Sequence, residues 1–409
     1  MKAALSKSLV AAMVFAGFLT GTAKAAPSLV ADLVTGEVIA QEEATRAWYP
    51  ASLTKLMTAY VALKAVREGR VTLDTPFVMS MRAARAAPSK MGFNPGTEVT
   101  REIALKMLMV KSANDIAILI AEGISGSVED FALEMNQTAR KLGMTKSFFV
   151  NPNGLHDPRH VSSARDMALL ARGLYTHFPE VADFYGIGAL KLDDKIIPTH
   201  NGLLGRYPGA DGMKTGFVCA SGFNVVASAL REGRHLVVVV LGSPNVKLRT
   251  LKAADLFDKG FAAWRGQRAN LTNLHDVAGA APNIREEICG KGRKNIQEDD
   301  LAVFAPQGSD NRALISGPRP MFEAVDVFVG RKVGWTGPVA QARAAPSASA
   351  YANVPNIGAT ASQAIAAKTK SAKKPVMKKK IVTKKPTPKK AAQGPLSPKP
   401  MASQKVNAQ

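Results

Sequence analysis

The chain has 409 residues, 46% of them hydrophobic, and a formal net charge of +22. Two cysteines, Cys219 and Cys289, exclude a disulfide-built scaffold, so stability rests on an ordinary core in one large domain or two smaller ones. The charge is uneven: residues 341–409 carry thirteen lysines and Arg343 with no Asp or Glu, and residues 26–340 keep only +5.

Residues 1–25 place Lys2 and Lys7 before the apolar run "SLVAAMVFAGFLTG" and end on "AKA", the pattern of a secretory signal peptide cleaved before Ala26. The run is short for a spanning helix, and no later segment is long and apolar enough to span a bilayer, so the expectation is an exported protein, in the periplasm or cell envelope. "SLVADLV" and "EVIA" flank Thr35-Gly36 and predict a β-hairpin.

In "YPASLTKLMTAY", Leu53, Leu56, Met57, Tyr60 and Val61 recur at helical spacing, with Pro50 and Ala51 at the start and Gly69 at the end. Ser52 and Lys55, three residues apart, share the border of this buried face. Taken alone, the pair reads as a capping serine and a lysine lying along the surface, and spacing by itself does not decide otherwise. The stretch 100–122 predicts two helical pieces meeting near Lys111 to Asn114, and further helices fit about 127–142 and 163–177, the last capped by Ser162 or Ser163.

The pattern then changes to β-branched runs, "MKTGFV", "GFNVVASAL" and "HLVVVVLG", followed by a helix over about 247–264. Hairpin, helices, three strands and helix predict an α+β fold: an antiparallel sheet flanked by helices, with a helical insert, over residues 26–265. Residues 266–340 hold strand-like pieces such as "ALISG" and "AVDVFVG" and read as either a small β domain or an irregular extension. Residues 341–409, rich in Ala, Pro and Lys with almost no aromatics, read as a disordered basic tail.

Three short patterns stand in order: Ser52-x-x-Lys55 on a helix, Ser112-Ala113-Asn114 in the helical insert, and Lys214-Thr215-Gly216 at the head of a strand. Decoys exist, Ser371 with Lys374 and Ser243 with Asn245, but neither has the right context. Together with "KLGMTKSFFVNPNGL", "SSARDMALLAR" and "SGFNVVASA", the chain from about Ser28 to Trp264 resembles the low-molecular-weight penicillin-binding proteins, serine D-alanyl-D-alanine carboxypeptidases of peptidase family S11.

The resemblance implies a β-lactamase/DD-peptidase-like fold and removal of the terminal D-alanine from peptidoglycan stem peptides through an acyl-enzyme, without a cofactor. It makes Ser52 the nucleophile and Lys55 its base, with Ser112 as proton relay. Asn114, Lys214, Thr215, Gly216, Phe217 and Arg249 then bind substrate, the backbone N–H groups of Ser52 and Phe217 holding the oxyanion. β-Lactams would acylate the same serine. Lys55 serves as base only when neutral, which requires its pKa to fall several units below the usual value of about 10.4; burial and a second cation at Lys214 both act in that direction.

The rival readings are a DD-endopeptidase on peptidoglycan cross-links, which the same residues would serve, and a β-lactamase-like hydrolase, which Ser-Ala-Asn and the lack of a Glu-x-x-Leu-Asn pattern disfavour. His156 and His160 are the one suggestive metal pair, broken by Pro158. Export makes anionic membrane or wall polymers, and not nucleic acid, the expected contacts of the tail. It also allows Cys219 and Cys289 to pair, pinning 266–340 near the cleft, or to stand as separate thiols.

Overall fold

The computed structural model describes residues 26–264, 266, 269–291 and 311–343. The expected signal segment and most of the basic tail lie outside them. Strands β1 (Ser28–Asp32) and β2 (Val38–Glu42) form the predicted hairpin, and a 3-10 turn at Ala51–Leu53 runs into α1 (Thr54–Arg67). Short β3 (Pro76–Val78), α2 (Met81–Ala84) and β4 (Glu98–Thr100) precede the helical insert of α3 (Arg101–Val110), α4 (Asn114–Ser125) and α5 (Val128–Lys141). After α6 (Ala164–His177) come a hairpin of β5 (Ala189–Leu192) and β6 (Lys195–Pro198), the long strands β7 (Ala210–Val218), β8 (Gly222–Arg231) and β9 (Arg234–Ser243), and α7 (Val246–Ala262).

The main sheet has the order β2-β1-β9-β8-β7, antiparallel throughout. β9 reads as an unbroken apolar run because both its faces are covered. Val237, Val239 and Leu241 pack into the cluster that holds α1, α4 and α6, while Leu236, Val238 and Val240 pack on Leu251 and Phe257 of α7. α4 is buried from Asn114 to Glu122, which is why its sequence is apolar all round. Helix starts follow side-chain chemistry: Ser127 caps α5, Ser163 caps α6 and Asn245 caps α7, each accepting a backbone N–H three residues on.

Among the described residues, the chain after α7 is laid back along this body. Ala269 and Gly36 carbonyls pair it to the first hairpin, Ile284 N–H donates to Ala220 O, and helix α8 (Arg285–Cys289) ends on a disulfide between Cys289 and Cys219. Closing a separation of 70 residues is worth on the order of 4 kcal/mol in the chain-entropy picture. The strand-like "ALISG" is helical instead, most of it within α9 (Asn311–Ser316), because Ile315 turns inward against α7. β10 (Ala324–Val327) does form, adding in parallel to β5. Ala340 then bonds Pro76 and Val78, and Arg343 N–H donates to Gly126 O.

Candidate active site

Ser52 sits on the 3-10 turn that opens α1, and the residue before it, Ala51, has φ +49°. Ser112, between α3 and α4, has φ +59°. Left-handed backbone at two non-glycine residues is strain concentrated at a site that the surrounding packing must hold. The turn is fixed from the sheet: Asn224 Nδ2 of β8 donates to Tyr49 O at 3.0 Å and Pro50 O at 3.3 Å, and its Oδ1 accepts from Gly242 N–H at 2.9 Å. From the other side, Gly154 packs so closely that a Cβ there would lie 1.8 Å from Ala51 O.

Lys55, one turn after Ser52, is 0% exposed. Its Nζ meets Ser52 Oγ at 2.9 Å, Asn114 Oδ1 at 2.8 Å and Asn153 O at 2.7 Å. A neutral amine has two N–H donors and one lone pair; the two acceptors that cannot donate, Asn114 Oδ1 and Asn153 O, take the donors and leave the lone pair for the Ser52 hydroxyl proton. Burial pushes the Lys55 pKa well below its ordinary value, the charge of Lys214 adds to this, and buried Asp115 opposes it.

Lys214, on β7, is 2% exposed and donates to Ser112 Oγ at 2.8 Å and to Thr215 O at 2.9 Å. Burial, then the nearby Arg249 guanidinium, lower its pKa to about 7. Arg249 on α7 is itself buried, its pKa drawn down to about 10 by burial and by Arg319. A hydroxyl beside each lysine, Ser52 by Lys55 and Ser112 by Lys214, gives the cleft two amine–hydroxyl pairs able to pass protons.

Ser52, Ser112, Asn114, Thr215, Gly216, Phe217 and Arg249 line one cleft of about 390 Å³, with Lys55 and Lys214 buried behind Ser52 and Ser112. β7 is the edge strand of the sheet, so its outer side can receive an extended peptide as an added strand. Gly216 serves a further purpose: a Cβ there would meet Pro50 O at 2.9 Å and Ser52 N at 3.0 Å, so the bare glycine lets the strand pass against the turn that carries Ser52. Asn114 is more committed than residue type suggests. Its Oδ1 is held by Lys55 and its Nδ2 donates to Ala87 O at 2.9 Å, leaving one N–H free to turn outward.

Sequence reasoning missed Asn153, Asn224 and Gly154, which act through a carbonyl, an amide bridge and the absence of a side chain. "NPNGL" was the available signal for two of them. His156 and His160 do not pair. His160 is buried, accepts from Val150 N–H through Nδ1 at 3.1 Å and meets Thr54 Oγ1 through Nε2 at 2.8 Å, and burial holds its pKa near about 3, so it is neutral. His156 is exposed against the edge of Tyr49. Among the described residues no group of three or more His, Cys, Asp or Glu converges to hold a metal.

Residues 17–245 match the family described as Peptidase S11, D-alanyl-D-alanine carboxypeptidase. The D-alanyl-D-alanine carboxypeptidase DacF of Bacillus subtilis is 33% identical over 285 residues, covering 68% of this chain and 71% of that protein. DacC of Escherichia coli is 34% identical over 240 residues, 57% of this chain and 60% of the relative. In three dimensions, penicillin binding protein 5 of Haemophilus influenzae aligns with a TM-score of 0.57 at 33% identity, over 58% of this chain and 71% of that one. Penicillin-Binding Protein D2 of Listeria monocytogenes, in an ampicillin-bound form, aligns at 0.51 and 29% identity over 58% of this chain and 97% of that one. With the fold and a family match over more than half its length, the chain belongs to the D-alanyl-D-alanine carboxypeptidases of peptidase family S11.

Proposed function

We propose that Ser52 attacks the carbonyl between two terminal D-alanines of a peptidoglycan stem peptide, with Lys55 taking its proton. The observation that carries this assignment is the set of three contacts at Lys55 Nζ, which leaves a buried, neutral-favouring amine 2.9 Å from a serine hydroxyl on the cleft wall. Ser112, bonded to Lys214, passes a proton to the departing amine; the Ser52 and Phe217 backbone N–H groups hold the oxyanion; Thr215, Lys214 and Arg249 hold the substrate carboxylate. Asn114 turns its spare N–H to the peptide, and water then releases the acyl-enzyme. A β-lactam carries a strained amide and a carboxylate at matching positions and acylates the same hydroxyl. Incubating the purified protein with monomeric and cross-linked muropeptides and weighing the products tests this. Loss of one alanine from the monomer is expected, and an unchanged monomer with cleaved cross-links would make the enzyme an endopeptidase instead.

Residues 26–265 form the catalytic body in this reading, 266–340 an extension of it, and 1–25 a signal peptide that delivers the protein to the periplasm or envelope. The basic tail makes an electrostatic contact with anionic lipid or wall polymer. Arg343 is tied to Gly126, so the test is removal of residues 344–409. The shortened protein should release D-alanine from a small peptide at the parental rate and bind anionic vesicles or isolated walls less at low salt. Equal retention on both surfaces would refute the contact.

A further inference from the structure

The cationic end of the cleft contains a residue that lies about a hundred positions beyond the last of the three motifs in sequence. Arg319 lines the same cleft as Ser52, Thr215 and Arg249, on the segment that follows α9. Its position is built from several contacts. Arg206 Nη1 and Nη2 donate to Ile315 O at 2.9 Å and Gly317 O at 2.8 Å, which hold the end of α9 and the turn after it. Asn311 bonds Asp258 of α7, Ile315 is buried in the core beside α7, and Arg319 Nη1 donates to Thr199 O at 3.1 Å.

The charges around it are all of one sign. Arg249 and Arg319 line this end of the cleft with Lys214 buried behind it, and among the described residues no Asp or Glu lines it. Among the described residues neither arginine has a carboxylate partner, and Arg249 keeps a buried Nε with no acceptor and a single long bond, to His200 O at 3.4 Å. Two guanidiniums brought together without an anion repel each other, and Arg319 lowers the pKa of Arg249 for that reason. An anion between them removes the repulsion and supplies the missing acceptor.

We propose that Arg319 is the second guanidinium of a carboxylate clamp whose first is Arg249, so that the extension after the catalytic body takes part in choosing peptides with a free C-terminal carboxylate. The proposal rests on the carboxypeptidase reading and adds a specificity-determining residue to it. Because Arg249 is buried and Arg319 is exposed, the two contribute differently. Arg249 supplies a desolvated charge, and Arg319 a screened one whose effect falls as salt rises.

The test compares an N-acylated peptide ending in D-alanyl-D-alanine with its C-terminal amide, using the full chain and its Arg319→Ala and Arg319→Lys variants. For the free-carboxylate peptide, Arg319→Ala should raise KM by about tenfold at low salt, less at high salt, with kcat within about twofold, as loss of one charge-assisted contact predicts. The amide should be cleaved by all three proteins at matching kcat/KM, and Arg319→Lys should restore part of the loss. Penicillin should still label every variant to one adduct per chain, which shows that the serine remains competent. An equal loss on both peptides, or no loss on either, overturns the clamp. If the parental protein cleaves neither peptide, the carboxypeptidase reading fails, and the clamp with it.

Discussion

Ser52→Ala is expected to lose D-alanine release by about 10⁴-fold or more, the scale on which removal of a catalytic nucleophile is felt, and to take up no penicillin. Nothing else in the cleft is placed to replace it. Ser112 has a lysine of its own, but that lysine sits at the cationic end, against Thr215 O and beside Arg249. The fold should survive, since the Ser52 side chain makes one bond, to Lys55, and the turn is held by Asn224 through the Tyr49 and Pro50 carbonyls. Intact-mass measurement after penicillin treatment, beside a melting curve, checks both halves. A stable adduct on the variant, mapped to another residue, would sink the assignment of Ser52.

The second large effect lies in the pH profile. Lys55 must be neutral to take a proton, and its pKa is pushed well below the ordinary lysine value, so kcat/KM should rise on the acid side as it loses its proton. Lys214 must be charged to attract a carboxylate, and with a pKa of about 7 in the free enzyme it should set a descending limb just above neutrality. The two signs together give a bell. Lys55→Ala should cost about 10²- to 10⁴-fold in acylation at every pH, the usual worth of a positioned base. Lys214→Ala should be about ten- to a hundredfold slower, should lose the descending limb, and should move the rising limb to higher pH, because one of the charges depressing Lys55 is gone. A Lys214→Ala enzyme with the parental profile would disconnect the two lysines.

The grouping of the candidate site was legible because it rests on side chains whose types and spacings bring them together. Ser52 and Lys55 face each other by helical geometry alone, and Lys214-Thr215-Gly216 announces itself beside an apolar run, although it lies in the middle of β7 and not at the strand head the sequence suggested. The long elements were legible for a similar reason: β9 is apolar on both faces, and α4 is buried all round, so each writes its environment into its composition. Illegible were the parts where backbone does the work. The carbonyl of Asn153 that orients Lys55 could belong to any residue type, and Gly216 reads as room for a substrate until the strand is seen pressed against Pro50 and Ser52. β3 and β4 have three residues each, too few for a period to show. Arg319 was hidden by distance, since only the folded chain brings it beside Arg249.

The link between Cys219 and Cys289 also imposes an order on assembly. Cys219 follows the last residue of β7, the strand that carries Lys214, and its partner is separated from it by 70 positions that include β8, β9 and α7. β7 can pair with β8 through a short local hairpin, a fast step, whereas the covalent latch waits until the chain has run the length of the sheet and back along α7. The wall of the cleft is therefore formed early and locked late. A nascent chain that stops short of residue 289 holds all three motifs, yet it has neither the latch nor the arginine at 319, so the cleft is completed by a part of the chain made after the sheet that carries it.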